Sequence, residues 1–231
     1  MYQNELNHYG VKGMKWGVRR ARRLQNKAGV ARESAREWDE MAARARSKGR
    51  TARADKYSAN AKQDRADAGK YESKAARMVE RRYKKAGKRA GMADYEREKG
   101  DRAYKSHDDN AKVMDKMAAK YEKSGNYIKA EAMRKSAAAV RARGENVRAG
   151  HYDTANAYMK RSEHLSKKAS SFASEAKVNV GKNKVNDIMK KARDEGYKNA
   201  KAWDDMERED KVRDRFGDSG VDAYNKLRGK R

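Results

Sequence analysis

GNYIKAEAMRKSAAAVRARG, residues 125–144, has the clearest helix pattern in the chain and indicates how the rest is built. Its apolar residues recur every three or four positions, the spacing of one face of an α-helix: Tyr127, Ala130, Met133, Ala137 and Val140. Glycine flanks the pattern on both sides and is unfavourable inside a helix by about 1 kcal/mol. We therefore expect a helix that ends at Gly144. Its Ala residues should allow close contact with neighbouring helices, while Met fills the gaps.

Other glycines suggest where further helices end. Gly49 and Gly125 are expected to be helix stops, because an aromatic residue, Met and Ala at helical spacing precede each of them. The region from Gly87 to Gly100 contains three glycines and is expected to be a weak, broken part of the helical chain.

Short polar and charged residues give two further local signals. Ser106 and Asp109 can cap free N–H groups, so a helix is expected to start there. Acids also precede bases by four residues, which is typical of long solvent-exposed helices: Glu80→Lys84, Glu131→Lys135, Asp187→Lys191, Glu207→Lys211 and Glu209→Arg213.

The composition predicts an all-α protein with a thin core. The 231 residues include only 20 Leu, Ile, Val and Phe against a net charge of +26, so little apolar surface can be buried. There are 38 alanines and no proline, which favours long helices. We expect elongated helices or helical hairpins, bundle-like or coiled-coil-like, with a flexible N-terminal arm. The expected divisions are a docking arm over 1–30, a helical body over 31–176 and a C-terminal helical segment over 177–231.

The N-terminal arm contains the most distinctive segment of the chain. Residues 1–30 carry seven Lys or Arg and one acid, and three glycines interrupt the first part. Met14 and Trp16 are large apolar groups among cations, as expected of a segment that orders on docking to another protein. The predicted docking residues are Gly10, Lys12, Gly13, Met14, Lys15, Trp16 and Gly17.

Two basic clusters predict contact with nucleic acid. Lys and Arg neutralise phosphates and release counterions, which gives affinity that depends on salt and not on base sequence. The candidate nucleic-acid-binding residues are Arg19, Arg20, Arg22, Arg23, Arg81, Arg82, Lys84, Lys85, Lys88 and Arg89. The alternative is that these clusters form solvated faces that keep a helical rod in solution.

The residues suggest no enzyme and no cofactor. No two of the four histidines are three or four residues apart, and no nucleotide-binding glycine motif occurs. The acidic pairs Asp108-Asp109 and Asp204-Asp205 could hold a metal, but solvated helix ends are the favoured interpretation. No apolar run is long enough to predict a transmembrane helix.

HYGVKGMKWGVRR, residues 8–20, resembles a short motif near the start of proteins encoded by phages and prophages of Gram-positive hosts, often among virion genes. The resemblance covers under a tenth of the chain and implies a phage particle or its assembly. The expected function is that of a non-enzymatic virion protein, inside the head or ejected with DNA. Its expected partners are a capsid or portal protein and nucleic acid, which it would bind without sequence specificity. A homo-oligomer is also compatible with the sequence.

Three alternatives remain open at this point. The chain could be a scaffolding or assembly protein that is removed before maturation. It could instead be an intracellular protein that binds nucleic acid non-specifically, or a toxin or enzyme behind a delivery motif. The favoured location is the head interior of the virion, after a period in the host cytoplasm before assembly.

Overall fold

Long α-helices form the fold in the computed structural model, which describes residues 16–227. They are α1 (Trp16–Ser47), α2 (Thr51–Lys123), α3 (Tyr127–Glu175) and α4 (Lys182–Leu227). α4 consists of two helices, because the backbone at Gly217 (φ 68°, ψ −173°) is not helical. No strand occurs among these residues, so the prediction of an all-α fold built from long helices is confirmed. α2 alone has 73 residues, about 110 Å of helix at 1.5 Å per residue. None of the described helices has an apolar stretch that could cross a membrane.

Gly49 and Gly125 end α1 and α2, as their sequence context predicts. Both have positive φ angles, 66° and 74°, which glycine adopts without a steric penalty. After α1, the amide of Arg50 donates to the carbonyl of Ala45 at 2.9 Å, and Gly49 donates to Arg46 at 3.0 Å. The same pair of bonds follows α2. Each turn is therefore a Schellman motif that satisfies carbonyls at the helix end.

Several other predicted helix ends are wrong. Gly144 lies inside α3, and the region from Gly87 to Gly100 lies inside α2. These glycines are retained in helices because another helix passes close to them: a Cβ on Gly91 would lie 1.9 Å from the carbonyl oxygen of Arg193, and one on Gly144 would lie 2.7 Å from the Cβ of His107. Tertiary packing thus outweighs the poor helix propensity of glycine.

Ser106 and Asp109 do not cap a helix start, since both lie in the interior of α2. The neighbouring Asp108 instead forms ion pairs with Lys112 at 2.7 Å and with Arg141 of α3 at 3.3 Å. The hydrogen bond from Lys112 lowers the pKa of Asp108. The short acidic run therefore links two helices and does not begin one.

Alanines spaced seven residues apart form the core between α1 and α2. In both helices these alanines are almost fully buried: Ala21, Ala28, Ala35 and Ala42 in α1, and Ala54, Ala61, Ala68 and Ala75 in α2. A seven-residue repeat keeps one seam facing a partner helix, and alanine lets the two backbones come close together. Trp38 and Tyr57 stack at the α1–α2 end with ring centroids 5.7 Å apart. The predicted thin, coiled-coil-like packing is therefore present, but Ala carries it more than Tyr or Met.

The helices belong to two compact units. Unit 1 contains α1, α2 as far as Tyr83, and Ser166–Val185. Unit 2 contains Lys84–Leu165 and the chain from Asn186 onward. The predicted divisions at residues 30 and 176 stay predictions, although α3 does end at Glu175. The part of the predicted arm that is described, residues 16–30, is helical and continuous with α1.

Candidate nucleic-acid interface

The N-terminal end of α1 brings together the last residues of the glycine-rich motif and the first basic cluster. Val18 and Ala21 are buried, so they define the inner face of the helix. Arg20 and Arg23 lie on exposed positions, and the Trp16 side chain is 66% exposed. The first two turns of α1 therefore present cations and an indole outward from a fixed helix.

Gly17 allows this first turn to pack onto an Arg82–Phe172 pair. The Arg82 guanidinium carbon lies 4.0 Å from the centroid of the buried Phe172 ring, within cation–π range. A Cβ on Gly17 would lie 3.2 Å from Nη2 of Arg82 and 3.3 Å from Cε2 of Phe172. The final glycine of the motif thus has a packing role in unit 1, and Arg82 has one face against an aromatic ring.

The charged residues at this end of α1 are all basic. Residues 16–32 contain six Lys or Arg and no acid. Arg32 pairs with Glu72 of α2, and the Lys27 amine lies 5.8 Å from the Tyr71 ring centroid of the same helix. Within residues 16–227, neither Arg20 nor Arg23 forms an ion pair. These two arginines are therefore the best placed of the first cluster to meet an external anion.

The second predicted cluster does not form one uniform cationic surface. In unit 2, Lys84 and Lys88 both bind Glu195, at 3.0 and 2.7 Å, and their hydrogen bonds lower the pKa of that carboxyl. The Arg89 guanidinium lies 5.7 Å from the Tyr158 ring centroid. Lys85 is exposed and, in unit 1, so is Arg81. Several residues in the cluster thus have partners inside the fold.

Five of the predicted docking residues lie outside the described residues. These are Gly10, Lys12, Gly13, Met14 and Lys15. The remaining two, Trp16 and Gly17, are the beginning of α1. The motif therefore continues into α1.

The interpretation of Asp204 as a solvated helix end is wrong. It is a buried residue in the interior of α4, where it accepts a hydrogen bond from Tyr95 at 2.5 Å and ion pairs from Lys99 and Arg208. Burial alone would raise the pKa of Asp204, but the hydrogen bonds from Lys99 and Tyr95 outweigh it and the pKa is lowered. Among the described residues, no three side chains of His, Cys, Asp or Glu lie close enough together to hold a metal ion.

Sequence reasoning missed Phe172 and the Tyr95–Asp204 pair. Phe172 is one of only two phenylalanines in the chain, but its neighbours in sequence are Ser and Ala and gave no helical signal. Tyr95 and Asp204 are 109 residues apart, so nothing local links them. The seven-residue alanine spacing was the available signal for the helix pairing that positions such residues.

Comparison with known proteins matches the N-terminal segment to a family model. The model of a family of unknown function, DUF7211, matches residues 1–23. None of the curated proteins and none of the solved structures matches the chain. The matched segment contains the glycine-rich motif and the four arginines that begin α1.

Proposed function

We propose that this chain is a non-enzymatic protein of a phage particle that contacts nucleic acid through the N-terminal end of α1. The observation that carries the proposal is the exposed pair Arg20 and Arg23, on a helix segment with six bases and no acid. A duplex or single strand offers a dense row of phosphates that such a segment can neutralise. The net charge of +26 would add long-range attraction.

The buried residues of the same segment support a fixed binding surface. Val18 and Ala21 hold the inner face of α1 in unit 1, so the backbone under Arg20 and Arg23 is already ordered. A preordered helix loses less conformational entropy on binding than a disordered basic tail would. Contacts of this kind fix position along a phosphate backbone but carry no information about base sequence.

The phage setting rests on the resemblance of residues 8–20 to the motif of virion-associated proteins. The family match covers the same residues but names no activity. In this proposal the motif docks on a capsid or portal protein, and the basic helices lie against packaged DNA inside the head. Mass spectrometry of purified particles tests the setting. We expect the chain in mature virions; its presence in proheads alone would instead identify a scaffolding protein.

Salt-dependent binding tests the proposed interface. We expect the double variant Arg20→Gln, Arg23→Gln to reduce the slope of log Kd against log salt for duplex DNA by about 1.8, since each lost phosphate contact removes about 0.9. The affinity at low salt should fall by the same mechanism. Fluorescence anisotropy with a labelled duplex at several salt concentrations measures both quantities.

A matched control removes the same charge elsewhere. Lys70 and Lys135 are exposed and pair with acids on their own helices, Asp67 and Glu131, each at 2.8 Å. Lys70→Gln with Lys135→Gln should leave the slope within error of the parent protein. Equal slopes for the arginine variant and this control would refute a localised interface at the start of α1.

A further inference from the structure

A cleft in unit 2 combines exposed apolar side chains with acids, in contrast to the basic character of the chain. It has a volume of about 550 Å³ and lies between α2 and α4. Met92, Trp203 and Met206 line it. Trp203 is 72% exposed and Met206 is 56% exposed. Glu207 and Asp210 also line the cleft. Large exposed apolar groups next to acids are typical of an interaction site.

Contacts between α2 and α4 form the floor of the cleft. Tyr95 and Asp204, which are joined by a 2.5 Å hydrogen bond, both line it. Gly196 lets α4 approach α2 closely, since a Cβ there would lie 2.2 Å from the carbonyl oxygen of Lys88. The cleft is thus preformed, which reduces the entropy that a ligand must lose on binding.

Charge defines what the cleft can accept. Residues 203–222 contain eight acids and four bases, a local excess of negative charge in a chain of net charge +26. The two lysines of the cleft are already engaged, Lys88 by Glu195 and Lys99 by Asp204. Glu207 and Asp210 form exposed ion pairs with bases on α4. Such ion pairs are weak, so the cations of a partner can replace these bases. Nucleic acid is disfavoured here, and a cationic segment with apolar side chains is favoured.

We propose that the occupant is the segment of residues 1–15 from a second copy of this chain. That segment places Met14 between Lys12 and Lys15, an apolar group flanked by cations. Met14 would contact Trp203, since sulfur and indole interact favourably, and the lysines would meet Glu207 and Asp210. Fifteen residues can extend about 50 Å, enough to span from one molecule into a cleft on the next.

The resulting association is head-to-tail, because two different surfaces meet. Such an interface forms closed rings or open chains of molecules. It is independent of nucleic-acid binding, since it uses a different unit and the opposite charge. It would let the chain assemble on itself first, and the same segment would then leave the cleft to dock on a capsid or portal protein.

A charge-swap experiment on the full-length chain tests the proposal. We expect Glu207→Lys with Asp210→Lys to weaken self-association at least about tenfold, and Lys12→Glu with Lys15→Glu to weaken it by a similar factor, because each places like charges together. Combining all four substitutions should restore association to within about threefold of the parent chain. Sedimentation equilibrium without nucleic acid, at about 0.1 M salt where the Debye length is about 10 Å, gives the association constants.

The control adds the same charge to a different surface of unit 2. Glu145 and Asp153 are exposed on α3, so Glu145→Lys with Asp153→Lys should leave self-association unchanged. A parent chain that is monomeric at all concentrations would overturn the proposal. So would a four-site variant that fails to recover, since the cleft would then accept some other surface or partner. Failure of the DNA experiment at Arg20 and Arg23 would leave this result unaffected.

Discussion

Replacing Gly91 by alanine tests the close crossing of α2 and α4 in unit 2. A Cβ at this position would lie 1.9 Å from the carbonyl oxygen of Arg193 and 2.6 Å from the amide nitrogen of Tyr197. Both are backbone atoms, so no side chain can rotate away to make room. α4 would have to move by more than an ångström before the contact reached an ordinary van der Waals distance.

The expected free energy change follows from three terms. Alanine favours a helix interior over glycine by about 1 kcal/mol, which would stabilise the variant. Overpacking costs about 1–3 kcal/mol, and displacement of α4 would also strain the Tyr95–Asp204 hydrogen bond, worth about 1.5–3 kcal/mol because its acceptor is charged. We therefore expect Gly91→Ala to destabilise unit 2 by about 2–4 kcal/mol, lowering Tm by roughly 5–10 °C.

Gly150→Ala is the matched control, since it makes the same change in α3 of the same unit. Nothing lies within 4 Å of a Cβ built there, so only the helix propensity should act. We expect about 1 kcal/mol of stabilisation and a higher Tm. Far-UV circular dichroism melts give the two shifts, and hydrogen exchange of α2 and α4 amides assigns the Gly91 effect to unit 2. A Gly91→Ala variant as stable as Gly150→Ala would refute the close crossing.

Two further predictions concern the buried hydrogen bond and the alanine seam. Burial and the hydrogen bond to Asp204 raise the pKa of Tyr95, so the folded protein retains the phenol proton above the unfolded pKa of about 10. We expect the Tyr95→Phe variant to be less stable than the parent protein by about 1.5–3 kcal/mol at neutral pH. The difference between their urea midpoints should shrink as pH rises above about 10. In α1, Ala35 is 2% exposed, whereas Ala43 is exposed. Ala35→Leu should therefore lower the free energy of unfolding by about 1–3 kcal/mol, while Ala43→Leu should change it by less than about 0.5 kcal/mol. Urea denaturation measures both changes.

The exposed ion pairs show how far local sequence could be used. Glu131→Lys135 and Glu207→Lys211 form as the four-residue spacing predicts, at 2.8 and 2.7 Å. Glu80 instead binds Lys184 at 2.6 Å, and Lys84 binds Glu195. The prediction failed there because a facing helix brings a base or acid into reach, and spacing along one helix contains no information about its neighbours.

The glycines divide in the same way. Gly49 and Gly125 lie in Schellman turns with positive φ, and a stop could be predicted at each. Gly91 and Gly144 lie inside helices, where the absence of a side chain admits another helix. Both roles use the missing Cβ, so residue identity alone does not separate a turn from a helix crossing.

The sequence by itself determined that this chain is helical, thin-cored and strongly cationic. Abundant alanine, the absence of proline and a net charge of +26 act through helix propensity and limited apolar burial, which are properties of composition. Tertiary structure alone decided that Arg20 and Arg23 face outward, that Lys84 and Lys88 share Glu195, and that Asp204 is buried. These outcomes depend on which helix lies opposite each residue, and that pairing is set by contacts between residues far apart in the chain.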